Sequence, residues 1–136
     1  MVKQSDILAR LIDEEGLKLK AYVDTVGKVT IGIGCNLTDV GITKDEAIYL
    51  CNNRIDNAIN DLRRNLDYFD TLPGNVQMVL VDLTYNMGIG TLLTFHNTLN
   101  YIKMGDYKTA SENLLMSTWA KQVGVRAIKL ADLLKQ

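Results

Sequence analysis

Leu17-Lys18-Leu19-Lys20-Ala21-Tyr22-Val23-Asp24-Thr25-Val26-Gly27-Lys28-Val29-Thr30-Ile31-Gly32-Ile33-Gly34 departs from the helical periodicity of the surrounding chain. Leu19, Ala21 and Val23 alternate with Lys20, Tyr22 and Asp24. A run rich in β-branched residues follows a glycine-containing turn, and together these features predict a β-hairpin. The loop length decides which side chains meet. A two-residue loop would put Asp24 and Thr30 on opposite faces. A three-residue loop, Thr25-Val26-Gly27, pairs 24 with 28 and 22 with 30, so 22, 24, 28 and 30 share one face by the period of two. Glycine in the third loop position is what a turn ending in a left-handed residue requires, so the three-residue register is expected. Gly32 and Gly34 weaken a strand. They mark either the close approach of a ligand or another backbone, or a twisted edge strand.

Outward from the hairpin, the chain is helical. On the N-terminal side Ser5 is the expected N-cap, Ile7, Leu8, Leu11 and Ile12 form the apolar stripe, and Gly16 is the stop. On the C-terminal side a short segment, Asn36–Ile42, leads to Thr43-Lys44-Asp45-Glu46, a Thr-x-x-Glu capping box. Ala47, Ile48, Cys51, Ile55, Ala58, Ile59 and Leu62 then hold a helical period, predicting a long helix over about 44–64 that ends in Arg63-Arg64. Cys51 reads as a small buried hydrophobe within it.

Pro73 opens the next helix at an early position. That helix carries Met78, Val79, Leu80, Val81 and Leu83 on most of its sides, which predicts a central, buried element, broken by Gly88 and Gly90. Further helices are expected near 91–104, 107–117 and 125–135, punctuated by Gly105-Asp106 and Gly124. The fold class is α+β, mostly helical, with one hairpin near the start and five or six helices after it.

The composition agrees. At 136 residues the chain is one domain in size and can bury roughly two-thirds of its unfolded surface without staples. It is 47% apolar and 23% charged, an ordinary globular balance that disfavours disorder, collagen and coiled coil. Net charge is −1, from 15 basic and 16 acidic residues, which argues against a nucleic-acid partner. The two cysteines, Cys35 and Cys51, neither make a secreted disulfide framework nor match a zinc motif. The single histidine, His96, excludes a two-histidine zinc hydrolase, and no metal or cofactor is implied. No signal peptide and no stretch of membrane-spanning length is evident. The expected location is therefore the cytoplasm until something else releases the protein, with no membrane insertion.

Glu15 ends the first helix, Asp24 ends the first hairpin strand, and Thr30 lies on the return strand. Two carboxyls and a hydroxyl are the parts needed to hydrolyse a glycosidic bond. One carboxyl stays protonated to assist the leaving oxygen, and the other stays ionised to direct water or attack the sugar. Spacing alone does not separate these acids from the other acidic residues in the chain.

Glu15-Gly16-x-x-Leu19-x-x-Tyr22-x-Asp24, the short glycine turn, and Thr30-Ile31-Gly32-Ile33-Gly34 resemble the N-terminal signature of the phage T4-type lysozymes, endolysins that cleave peptidoglycan. The resemblance continues through Gly41-Ile42-Thr43-Lys44-Asp45-Glu46-Ala47, Asn86-Met87-Gly88 and Phe95-His96-Asn97-Thr98-Leu99. It reappears at Trp119-Ala120-Lys121-Gln122 and Arg126-Ala127, and so spans nearly the whole chain.

The resemblance implies a single lysozyme-like domain over 1–136. Its parts would be a small lobe over about 14–43, a long connecting helix over about 44–64, and a helical lobe over 65–136 that also takes the N-terminal helix 5–13. It implies a muramidase that cuts the β-1,4 bond between N-acetylmuramic acid and N-acetylglucosamine with inversion, for host cell lysis. Glu15 would be the general acid, while Asp24 and Thr30 would position the attacking water. Arg126 matches the arginine that pairs with the catalytic glutamate. Asn86, Thr98 and Asn113 fall where the family contacts sugar, and Trp119 falls at a core position. The implied partner is peptidoglycan, met by a monomer whose release depends on a holin.

Cys35 stands where the family often has histidine, and the Asn36–Ile42 segment is short, so a reduced small lobe is expected. Near-neutral charge shifts the affinity for an anionic wall from long-range attraction to groove contacts. Two other readings compete with this one. The first is a wall-binding or phage-particle-associated protein that keeps the fold with little activity. The second is a cysteine peptidase built on Cys35 and His96. Against it, Cys35 follows a strand, and does not open a helix, where a thiolate would be stabilised.

Overall fold

The structure is a computed structural model describing residues 1–136. Its contacts divide the chain into two compact units, Met1–Tyr49 and Leu50–Gln136. By contacts, the first helix falls in the unit of the hairpin, whereas the lobe reading grouped 5–13 with the helices.

In the first unit, α1 (Gln4–Glu15) precedes an antiparallel sheet of order β1-β2-β3, formed by Lys18–Val23, Val29–Gly32 and Cys35–Asn36. α1 begins one residue before Ser5. Lys3 is its N-cap, with no side-chain capping bond, so the expected Ser5 cap is corrected: Ser5 lies inside the first turn. Gly16 ends the helix as expected, its N–H bonding the Ile12 carbonyl at 2.8 Å with φ +77°.

The hairpin has the three-residue loop. Tyr22 pairs with Thr30 and Val23 with Val29. The Asp24 N–H donates to the Lys28 carbonyl at 2.9 Å, and Gly27 carries φ +85°. Tyr22, Asp24, Lys28 and Thr30 are buried or half-buried, while Ala21, Val23 and Val29 are exposed. This alternation is what a shared face requires.

The expected single return strand through Gly34 is corrected. It stops at Gly32, reverses through Gly32-Ile33-Gly34, and pairs again as β3, with Ile31 opposite Cys35. Both glycines sit at positive φ, +69° and +66°, where a side chain is strained. Cys35 therefore lies within a strand, and its thiol is directed at the Gly41 carbonyl at 3.9 Å.

α2 (Lys44–Asn65) runs across the division between the units. Its capping box is reciprocal: Thr43 N–H donates to Glu46 Oε1 at 2.9 Å, and Glu46 N–H donates to Thr43 Oγ1 at 3.1 Å.

The second unit continues with a 3₁₀ turn (Phe69–Thr71) and then α3 (Gly74–Met87), α4 (Ile89–Leu92), α5 (His96–Lys103), α6 (Tyr107–Leu115), α7 (Thr118–Val123) and α8 (Val125–Leu134). That makes seven α-helices after the hairpin instead of five or six. Gly124, at φ +64°, splits the C-terminal segment into α7 and α8.

The core of this unit is one apolar cluster. α3 contributes Val76, Val79, Leu80 and Leu83, packed with residues such as Leu62, Phe69, Ile102, Leu114 and Leu134. α3 is central as expected, but Met78 on its outer side is 61% exposed. Cys51 is half-buried instead of enclosed. Both are corrections with one cause: periodicity identifies an apolar position but not what covers it. No helix is long and apolar enough to cross a membrane.

Candidate functional site

In the first unit the three expected chemical groups occupy local structure that fixes two of them. Asp24 closes the hairpin turn. Its Oδ1 accepts from the N–H of Val26 at 3.0 Å and of Lys28 at 2.8 Å, leaving Oδ2 without a protein donor. The side chain is pinned by the same turn that sets the strand register. Thr30 lies on the same face, 4% exposed, and its hydroxyl donates to the Lys28 carbonyl at 3.1 Å. With its proton so engaged, Thr30 Oγ1 has lone pairs left to accept a hydrogen bond.

Glu15 is the last residue of α1. Its side chain lies against the backbone at Gly34. A Cβ built there would meet Oε2 at 2.7 Å, Cδ at 3.0 Å and Cγ at 3.1 Å. Of the two readings open for Gly34 in the sequence, close approach is the one observed, and the approaching group is the Glu15 side chain. Gly32 has nothing within 4 Å of its own Cβ position.

In the second unit, a groove of about 890 Å³ collects all three expected sugar-contact residues, Asn86, Thr98 and Asn113, with Trp119 and His96 also on its wall. Thr98, 3% exposed, donates its hydroxyl proton to Asn113 Oδ1 at 2.6 Å. The Trp119 ring N–H donates to Asn86 Oδ1 at 2.7 Å. An indole N–H can only donate, so the Asn86 amide orientation is determined. In both asparagines the oxygen is engaged and the NH₂ is left as donor. Such a wall suits ligands that offer carbonyl and hydroxyl oxygens. Trp119 packs against the core, as expected, and also anchors Asn86.

Arg126 is held by Asp82, through Nε at 3.2 Å and Nη2 at 2.5 Å to the same Oδ1. Asp82, the Trp119–Asn86 bond and the contact of Glu15 with Gly34 were not singled out from sequence. Only Gly34 gave a signal, as a glycine in a strand-like run. No cluster of His, Cys, Asp and Glu side chains arranged to hold a metal ion is present.

Comparison with known proteins places these residues in a lineage. The phage lysozyme family profile matches residues 12–135. Probable T4-type lysozyme 1 of Dictyostelium discoideum is 24% identical, with 96% of this chain and 94% of that protein aligned. Probable T4-type lysozyme 2 of the same organism is 26% identical over 84% of each chain. The pre-baseplate central spike protein Gp5 of Enterobacteria phage T4 is 26% identical, the match spanning 86% of this chain but 25% of that protein. The family match covers both units, including Glu15, Asp24, Thr30 and the asparagine-lined groove, and the chain belongs to the phage lysozyme family.

Proposed function

We propose that the chain is a muramidase that hydrolyses the β-1,4 bond between N-acetylmuramic acid and N-acetylglucosamine in peptidoglycan, with inversion at the anomeric carbon. The observation that carries this reading is the hairpin register. Tyr22 opposite Thr30, with Asp24 bonded to Lys28, sets Asp24 and Thr30 on one face in a chain of a lysozyme family.

Glu15, protonated, gives its proton to the glycosidic oxygen as that bond breaks. A water donates one hydrogen to the free Asp24 Oδ2 and the other to Thr30 Oγ1, and so turns its own lone pair outward. That lone pair attacks the anomeric carbon from the side opposite Glu15, and Asp24 takes the proton the water loses. Inversion needs the two carboxyls about 6.5–9.5 Å apart, and retention about 5–5.5 Å. In a retaining enzyme Asp24 would attack directly and Thr30 would have no part. Asn86, Thr98 and Asn113 are the sugar contacts, the two asparagines donating through their amides and Thr98, its proton committed to Asn113 Oδ1, accepting through its oxygen. Arg126 is the supporting residue, its guanidinium steadied by Asp82.

The biological role in this reading is host cell lysis, with access to the wall provided by a pore-forming partner, a holin. Expression of the chain alone in a Gram-negative host then leaves cells intact until the membrane is breached. Similarity to the phage spike protein favours a second reading, a particle-associated protein of the same fold with weak activity.

Digestion of purified murein separates the two. The muramidase gives reducing N-acetylmuramic ends by mass, and an α-configured first product by NMR before mutarotation. A β product makes Asp24 the nucleophile. An anhydro end removes water from the reaction, and absence of any product leaves the particle-associated reading.

A further inference from the structure

A separate hollow of about 510 Å³ lies in the second unit, on the surface of α2 and the end of α3. Arg54, Asn57, Asp61 and Tyr85 supply its polar and aromatic groups. Arg54 differs from the other arginines of the chain. Arg10, Arg63, Arg64 and Arg126 are each paired with a carboxylate. Arg54 has no ion pair, and its neighbours on the helix surface, Leu50, Cys51, Asn57 and Ala58, include no acid with which an i,i+3 or i,i+4 pair could form.

The acid in the hollow, Asp61, is already neutralised by Arg64, so the hollow carries one uncompensated positive charge. Tyr85 stands at its edge, 47% exposed. Its phenol is held above the usual value by interaction with the Cys51 thiol, with Arg54 acting in the opposite direction from close by.

An open aromatic ring, a free guanidinium and a carboxamide are complementary to a sugar ring that bears an anionic substituent. The ring face takes the apolar side of the sugar, and the planar fork takes a carboxylate. Peptidoglycan carries its negative charge as carboxylates on its lactyl groups or stem peptides. A chain of net charge −1 exerts no general attraction on such a polymer, so any selection for its charge has to be local. We infer that this hollow is a subsite for the carboxylate-bearing part of the glycan strand, with Tyr85 beneath a sugar ring and Arg54 forked onto the carboxylate. The inference rests on the muramidase reading and names a substrate feature which that reading leaves open.

The test uses the full chain and three soluble substrates: strands with stem peptides, strands stripped to free lactyl carboxylates, and strands whose carboxylates are amidated. Arg54→Gln raises KM about three- to fivefold on a carboxylate-bearing substrate, the range for an exposed charge pair. kcat is unchanged, and KM on amidated strands does not move. Loss on the stem-peptide strands alone assigns the carboxylate to the peptide, and loss on the stripped strands assigns it to the lactyl group. The effect shrinks with added salt, and Arg54→Lys restores part of it. Lys108→Gln on α6 removes a charge elsewhere and leaves all three KM values alone.

Equal KM values for wild type and Arg54→Gln on every substrate overturn the subsite, as does an equal rise on the amidated strands. Calorimetric titration of the same strands into the Glu15→Gln chain, with and without Arg54→Gln, reads binding without turnover. An inactive wild type refutes the muramidase reading, whereas an Arg54-independent affinity refutes the subsite.

Discussion

Gly34→Ala probes the approach of the Glu15 side chain to the backbone at Gly34. The new Cβ would stand 2.7 Å from Glu15 Oε2 and 3.0 Å from its Cδ, whereas relaxed carbon contacts lie at about 3.5–4.0 Å. The carboxyl must therefore retreat by about 1 Å. Glu15 is exposed, so its flexible end yields before the backbone does, and relief of the clash adds little to instability. What remains is an alanine at φ +66°, worth about 1–2 kcal/mol, or a Tm lower by roughly 4–8 °C.

Activity responds differently. A general acid displaced by about 1 Å loses on the order of 10²-fold in rate, within the roughly 10²–10⁴-fold that such a group contributes. Gly41→Ala supplies the control, because Gly41 has φ +71° and nothing within 4 Å of its Cβ position. Thermal melts and dye release from labelled murein should give both variants similar Tm losses but only Gly34→Ala the loss in kcat. If Gly34→Ala keeps kcat within about twofold of Gly41→Ala, Glu15 does not act from this position and the reasoning fails.

Glu15→Gln keeps the shape but has no proton to give, so kcat falls about 10²–10⁴-fold at unchanged Tm; near-wild-type clearing of permeabilised cells would remove Glu15 from the mechanism. Thr98→Val keeps the shape and deletes the bond to Asn113, lowering stability by about 1 kcal/mol and raising KM for glycan as the Asn113 amide loses its orientation; a drop in Tm with KM unchanged would make the pair purely structural. Glu46 is held below the usual carboxylate range by the Thr43 backbone N–H and then by the Thr43 side chain. A lowered carboxylate stabilises the fold above its unfolded value and ceases to do so as pH falls through its folded value. Glu46→Gln should thus lower Tm at pH 7 and converge on wild type as pH falls through the lowered folded value of Glu46, and a gap that does not narrow with acidification would contradict the capping account.

What could be read from the sequence was local. Gly27 fixes the hairpin because only a left-handed third loop residue gives the register that pairs Tyr22 with Thr30. Thr43 and Glu46 fix the start of α2 because each side chain bonds the other's backbone three residues away. β3 escaped the same reasoning. Gly32-Ile33-Gly34 reads as a weak strand continuation until both glycines are seen at positive φ. Ser5 satisfied the N-cap preference, yet α1 starts before it without any side-chain cap, since preference by residue type does not say where a helix begins.

The second unit was harder to read because its polar pairs are distant in sequence. Thr98 and Asn113 are 15 residues apart, Asn86 and Trp119 are 33, and Arg126 and Asp82 are 44. No periodicity marks any of them. Resemblance named Asn86, Thr98 and Asn113 one at a time, but it is folding that places them on one wall and turns both amide nitrogens outward. The distinction has a physical consequence for substitution. Asp24 draws its orientation from Val26 and Lys28, within four residues, and depends on little beyond the hairpin. Asn86 and Asn113 draw theirs from α7 and α5, and changes at the Trp119 and Thr98 bonds should alter glycan affinity while leaving the hairpin chemistry intact.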